Sequence, residues 1–444
     1  MFGRARTASV GLVTLELVGL VAALLAGACD DKKPKPPFPA RRADAGEATI
    51  EPFPLHASAS VTAPPPPPSA SAPARPVDAG AAISDAGAAV AIGDGGVEAC
   101  PRTWGPAEMP FRGPAAMKQE GDDLVLVLND RGVPTAHKIP IPPIPARGAA
   151  IAPPPRPASF FAVSWPACAI AGKYTYCPGP GGKITRTAGG RTKEVGKGRS
   201  ATRITASPLG GDHAVVAWLD ERTTTEGKML QAFAALDEET PVRLSEDGAG
   251  ATFVDLAPHK DGAVAFYLDA RTSMVPIHVR GVRAGAGKLD LGKDVVVAVG
   301  GPPERAIAGA LAVTSAGALF GLVPMAEDTL SFGMGVVAVP DPPREDTPIA
   351  WSRYPNGLDP APVVATRGAS PTRVLRVRPS AKEPGAPRAL ELGRLDDKGA
   401  FTSDQVVEIG KPFLDLGLFV DAKGGVWILY GDATVAFLER RACP

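Results

Sequence analysis

The sequence predicts an all-β fold, a β-propeller of seven blades with six as the alternative, preceded by a disordered Pro/Ala-rich tether. Three observations carry this expectation. Residues 214–222, Ala-Val-Val-Ala-Trp-Leu-Asp-Glu-Arg, return 49 residues later as 263–271, Ala-Val-Ala-Phe-Tyr-Leu-Asp-Ala-Arg, so one repeat unit is written twice. Apolar runs of strand character recur at 124–128, 160–165, 214–219, 263–268, 318–323, 373–377 and 426–430. The steps between Trp165, Trp218, Tyr267, Phe320, Val374 and Trp427 are 53, 49, 53, 54 and 53 residues. Gly 50 and Pro 49 among 444 residues supply the turns that many short strands need. A period of about 50 residues belongs to stacked or radial repeats, and residues 100–444 hold close to seven such units. A unit this small closes no core alone, so its sheet must bury both faces against neighbours around an axis.

The chain opens with an address. Arg4 and Arg6 precede an apolar stretch, 10–28, that ends in Ala26-Gly27-Ala28-Cys29. This is the layout of a secretory signal with small residues before its cleavage point, so residues 1–28 are expected to direct export. Reading the stretch as an uncleaved membrane anchor would place Glu16 inside the span, at about 2.5–3.5 kcal/mol on insertion scales. The end of the stretch resembles the lipobox of bacterial lipoproteins. That resemblance implies diacylation of Cys29 and a lipoprotein anchored at the outer membrane, on its periplasmic or surface side. At about 0.8 kcal/mol per buried CH₂, two or more acyl chains hold a protein on a membrane without any apolar surface of its own.

Residues 29–98 read as the tether. Pro64 to Pro68 are consecutive, the triplet Asp-Ala-Gly recurs at 44, 78 and 85, and no apolar periodicity survives. Such a composition buries too little surface to offset chain entropy, which predicts disorder with local polyproline character. As a flexible coil it spans about 45–50 Å. Gly93-Asp94-Gly95-Gly96 lacks the spaced oxygen ligands and closing bidentate carboxylate of a calcium loop, so no metal is expected there.

Residues 99–444 form the propeller domain in this reading. Lys+Arg 47 equals Asp+Glu 47, which leaves no basic field to recruit nucleic acid. His56, His137, His213, His259 and His278 never stand at metal-ligand spacing, and no phosphate loop, dinucleotide fingerprint or nucleophile elbow appears, so neither cofactor nor catalytic residue is assigned. Asp220 with Arg222 and Asp269 with Arg271 form a repeating charged constellation, in which each Asp and Arg can pair across its hairpin. A feature repeated blade by blade is structural first, and Trp218 and Tyr267 are expected to be blade core before ligand platform. The aromatic-x-Asp-x-Arg hairpin is similar to the repeats of sialidase-like, BNR-type bacterial propellers, and residues 245–253 partly echo their Asp-box. The resemblance implies a carbohydrate-active enzyme as the alternative function, which would need acidic residues and arginines clustered at the axial end of the ring. The preferred expectation is a membrane-tethered binding or scaffolding module with an unidentified envelope protein or glycan as partner.

Apart from Cys29 four cysteines remain, an even number in an exported chain. Cys168 and Cys177, nine apart, flank Tyr174-Thr175-Tyr176 and can staple one hairpin. That leaves Cys100 and Cys443, 343 apart. A linear chain has no reason to join its ends, whereas a ring docks its first strand beside its last blade. A strand near 101–104 would complete the sheet of 426–430 and 434–438. A disulfide there removes loop entropy worth about 4–5 kcal/mol. Free or intermolecular thiols are the other possibility.

Overall fold

The computed structural model describes residues 99–145, 162–163, 166–198, 203–224, 227–246, 249–271, 274–300, 309–326, 332–353, 363–378, 389–408, 415–431 and 434–444. The export signal, Cys29, the tether and Trp165 lie outside the described residues.

Seven radial sheets form a closed seven-bladed propeller. Blade 1 is Ala116–Glu120, Asp123–Asp130 and Val133–Pro140; blade 2 is Ala169–Ala171, Tyr174–Pro178, Lys183–Ala188 and Arg191–Lys197. Blade 3 is Ile204–Pro208, Ala214–Thr224, Gly227–Leu236 and Val242–Arg243; blade 4 is Ala251–His259, Gly262–Asp269, Val275–Ala284 and Leu289–Gly300. Blade 5 is Ala310–Thr314, Leu319–Ala326, Phe332–Val339 and Ile349–Arg353; blade 6 is Val363–Ala365, Thr372–Arg378, Ala389–Leu395 and Phe401–Glu408. Blade 7 is Asp415–Val420, Gly425–Gly431 and Ala436–Ala442, completed by Arg102–Glu108. The first strand of every blade touches the first strands of both neighbours, and blade 7 touches blade 1, so these strands line the axis.

The second strand explains the sequence pattern. It is flanked by strands on both edges and packed by adjacent blades on both faces, so it reads as an uninterrupted apolar run rather than an alternating one. Residues 263–268 and 426–430 are buried at every position. Each pair of neighbouring blades encloses one apolar cluster, seven in all among the described residues. Blades approach closely where a small residue meets a ring. A Cβ on Gly196 of blade 2 would lie 2.6 Å from the Trp218 indole of blade 3, and one on Gly321 of blade 5 would overlap Phe266 of blade 4.

One expectation is corrected: the second strand of blade 2 is Tyr174–Pro178 and not the 160–165 run. Within that run the described residues are Ala162–Val163, a strand paired in parallel with Phe111–Arg112, and Tyr176 is buried at the centre of Tyr174–Pro178. Hydrophobicity alone did not distinguish a blade-to-blade connection from a strand. Among the described residues blade 1 has three strands, where each of the other blades has four. Its outer strand, Val133–Pro140, carries Pro134 and Pro140, which lack a donor, and Lys138 between them; both features discourage edge-to-edge pairing.

Closure is antiparallel, with Arg102 opposite Arg441 and Glu108 opposite Phe437. Beside it Cys100 is bonded to Cys443, with Cα atoms 4.3 Å apart. Cys168 is bonded to Cys177, and both fill the cluster between blades 1 and 2, the sparsest of the seven. Losing Cys443 to Ser opens a covalent loop of 343 residues, losing Cys168 one of nine. Cys443→Ser is therefore expected to lower unfolding free energy by about 4–5 kcal/mol and Cys168→Ser by about 2–3 kcal/mol. Denaturant titration under non-reducing conditions checks the order; equal or reversed effects contradict it.

Candidate functional site

Antiparallel alternation puts the turns between first and second strands, and between third and fourth, on one face of the ring. On this face several turns are tight, as between Glu120 and Asp123, Ala171 and Tyr174, and His259 and Gly262. On the opposite face the last strand of one blade ends and the first strand of the next begins, as at Arg243 and Ala251, Gly300 and Ala310, and Arg353 and Val363. Longer connections over a rigid ring are where recognition residues concentrate.

The repeated hairpins project to this long-connection face. Asp269 is saturated: its Oδ1 accepts the Gly250 amide at 3.0 Å and the Arg271 amide at 3.1 Å, and Arg271 Nη2 donates to Oδ2 at 2.6 Å. Burial alone would raise the Asp269 carboxyl, but the Arg271 guanidinium and these amides outweigh it and hold it below the ordinary range. Asp220 pairs with Arg222 at 2.6 Å, and that guanidinium lies 4.9 Å from the Phe233 ring centroid. Each pair joins residues two apart rather than bridging a hairpin, and Asp220 and Arg222 lie inside Ala214–Thr224, short of its turn. Trp218 is 1% exposed, donates its indole N–H to Lys197 O at 3.1 Å and stacks on Phe233 at 6.5 Å. Tyr267 is fully buried, stacks on His278 at 4.5 Å and donates its hydroxyl to Asp294, while His278 Nδ1 stands 3.3 Å from Asp294. His213 and His259 also face carboxylates, Asp237 at 2.6 Å and Asp341 at 3.3 Å.

The axis holds a second constellation. Asp255, on the first strand of blade 4, is 2% exposed. Its Oδ1 accepts the Thr205 hydroxyl of blade 3 at 2.6 Å and its neighbour's amide, Leu256, at 2.9 Å; Oδ2 accepts the Leu311 amide of blade 5 at 2.8 Å. A fourth donor comes from blade 6. The first-to-second connection of blade 6 contains a short strand, Arg367–Ala369, which pairs in parallel with the axial edge of blade 5 at Val313 and Thr314. Its Arg367 Nη2 reaches Asp255 Oδ1 at 2.6 Å. Arg203, directly before the first strand of blade 3, is exposed and lies 5.2 Å from the Phe253 ring centroid. Burial would push the Asp255 carboxyl up, but the charges of Arg367 and Arg203, with the Thr205 and Leu311 hydrogen bonds, hold it below its ordinary value.

Sequence reasoning missed this cluster because its members come from blades 3, 4, 5 and 6 and none repeats. The available signal was a lone acid inside the apolar run Phe253-Val254-Asp255-Leu256-Ala257. Chemically the axis offers guanidinium donors beside a carboxylate whose oxygens are already occupied. Among the described residues no group of three or more His, Cys, Asp or Glu is placed to hold a metal ion.

No protein-family model matches the chain, and no curated protein matches it. The BNR-type likeness therefore rests on the residues of two blades. Among solved structures, polysaccharide lyase Uly1 is 9% identical, with 75% of this chain and 90% of that chain covered at a TM-score of 0.43. The six-bladed fucose-recognising lectin of Aleuria aurantia is 11% identical, over 62% of this chain and 94% of that one, at 0.32. NanB sialidase of Streptococcus pneumoniae is 8% identical, over 61% and 47%, at 0.31. Likeness at this level assigns neither ligand nor chemistry to this chain.

Two outcomes follow from the geometry. Asp269→Ala is expected to cost about 2–3 kcal/mol, because two part-buried amides and Arg271 lose a buried acceptor, whereas Asp220→Ala, whose Arg222 side chain is 54% exposed, costs about 1 kcal/mol. Thermal melts of the two variants check this order. For Asp255 the folded carboxyl is depressed, so its contribution is complete above the unfolded value of about 3.9 and is lost as pH falls through the folded value. Asp255→Asn should lower stability by about 2–3 kcal/mol at pH 7, with the deficit shrinking below pH ~4. Denaturation midpoints across pH 3–7 measure it, and a pH-independent deficit contradicts the assignment.

Proposed function

We propose that the chain is an exported, lipid-anchored propeller that acts as a binding module for a cell-envelope partner, an envelope protein or glycan. The observation that carries this reading is the state of the axial acid. Asp255 holds four donors and almost no exposed surface, so it is poorly placed to exchange a proton with a substrate, while the Arg367 side chain beside it is 31% exposed. A site rich in donors without an available acid or base suits recognition better than bond cleavage. The alternative of a carbohydrate-active enzyme calls for acids and arginines together at the axis. Asp255 is instead committed to holding three blades to the Arg367 strand.

Two further features fit export and anchoring. The bonds Cys100–Cys443 and Cys168–Cys177 belong to an oxidising compartment. Ala26-Gly27-Ala28-Cys29 supplies the acylation signal. Cys29→Ser is expected to move the protein from the washed membrane fraction to the soluble one, while the released protein still co-sediments with lipid-depleted envelope fragments. Retention on membranes contradicts the anchor. Failure to co-sediment, together with release of reducing ends from envelope polysaccharide, contradicts the binding module and favours the enzyme.

A further inference from the structure

We infer that Asn129 and the Cys168–Cys177 bond form a redox-sensitive latch on the joint between blades 1 and 2, through which a dithiol in the surrounding compartment opens the ring at that joint and at no other. The latch works whatever the ring binds, so it stands apart from the binding-module reading. Its setting is an unevenly packed blade. Along the second strand of blade 1, Leu124, Leu126 and Leu128 pack into the cluster shared with blade 7, while the smaller Val125 and Val127 face blade 2. On the other side of the joint, Tyr176 and Ile184 of blade 2 turn to blade 3, and Cys168 and Cys177 meet the valines. Among the described residues this joint buries two valines and one cystine, with Ala116 and Ile170 at its margin, where every other cluster holds eight or more buried residues. Little apolar burial opposes its opening.

Polar groups make up the difference. Asn129, the next residue of the same strand, is buried; its Nδ2 donates to Pro166 O and to Pro178 O, each at 2.8 Å, and its Oδ1 accepts the Gly132 amide at 2.8 Å. Pro166 lies two residues before Cys168 and Pro178 one after Cys177, so the cystine fixes the separation of the two carbonyls that a single amide must reach. Breaking the bond lets Pro166 move away from Pro178 and leaves the buried amide short of an acceptor. Both cysteines are buried, so exchange waits on a brief opening of the joint, which sparse packing favours here. A thiolate of the dithiol then attacks Cys168 Sγ, and Cys177 leaves as a thiolate and takes a proton. The second thiol of the reductant displaces Cys168 from the mixed disulfide, so two electrons pass to the protein and the reductant is left as a disulfide. Cys100–Cys443, by contrast, stands among eight buried residues beside the closing ladder.

In the test the full chain is titrated with dithiothreitol, free thiols are alkylated and mapped, and amide hydrogen exchange is followed in the same samples. Cys168–Cys177 should open at concentrations about tenfold or more below those that open Cys100–Cys443, and exchange should then rise about tenfold or more in Asp123–Asp130 and Tyr174–Pro178 while Gly262–Asp269 of blade 4 is unchanged. In Asn129→Ala the same strands of blades 1 and 2 should exchange faster with the bond intact, and reduction should add less than about twofold. Simultaneous or reversed opening of the two bonds, unchanged exchange in Asp123–Asp130 after reduction, or a uniform rise in every blade overturns the latch. A full additional rise on reducing Asn129→Ala also overturns it, because bond and amide would then act separately. Should Asn129→Ala not fold, the wild-type titration alone decides.

Discussion

Docking of Arg102–Glu108 on Ala436–Ala442 is the constraint on which the ring depends. Each apolar cluster lies between two blades, so no blade keeps its core when a neighbour is removed. A ring avoids terminal blades only if the chain's first strand becomes the last strand of the final sheet. Residues of both segments then share one cluster, with Trp104 and Trp427 rings 5.4 Å apart and Leu438 beside Phe111. The closing strand is thus held by apolar burial along its length as well as by its ladder.

Buried ion pairs gather near this junction. Arg440 and Asp421, both 0% exposed at the side chain, meet at 2.7 Å, and Trp427 donates to the same Asp421 oxygen at 2.8 Å. Arg441 pairs with Glu439 at 2.6 Å and donates to Cys100 O at 3.0 Å. In blade 6, Arg376 pairs with Glu391 at 2.8 Å and Arg373 with Asp404 at 2.6 Å. Desolvating such charges offsets most of their attraction, so their net stabilisation is small, but separating any one pair costs about 3–5 kcal/mol. They penalise a misregistered closure more than they strengthen a correct one.

What was legible in the sequence was whatever a blade must repeat. Residues 214–219, 263–268, 373–377 and 426–430 all fall on second strands, because double-sided burial demands a continuous apolar run. The ring-closing disulfide followed from topology, since only a closed ring gives Cys100 and Cys443 a common address. Outer strands were not legible: Val242–Arg243 is two residues long, and its pairing is fixed by the neighbouring strand rather than by its composition. The phase slipped in blade 2, whose second strand is Tyr174–Pro178 and not the apolar run at 160–165. The axial cluster escaped entirely because Thr205, Asp255 and Arg367 meet through tertiary placement, with Asp255 and Arg367 112 residues apart.

The place where the chain enters the ring has a mechanical consequence. Tension arriving along the segment before Cys100 would reach the closing strand at its Arg102 end and open its ladder one bond at a time, the weakest way to load a hairpin. The bond to Cys443 intercepts that load before it reaches Arg102 and hands it to the third strand of blade 7, which is flanked on both edges. The load then falls on a strand held by two neighbours and not on one at the rim of its sheet.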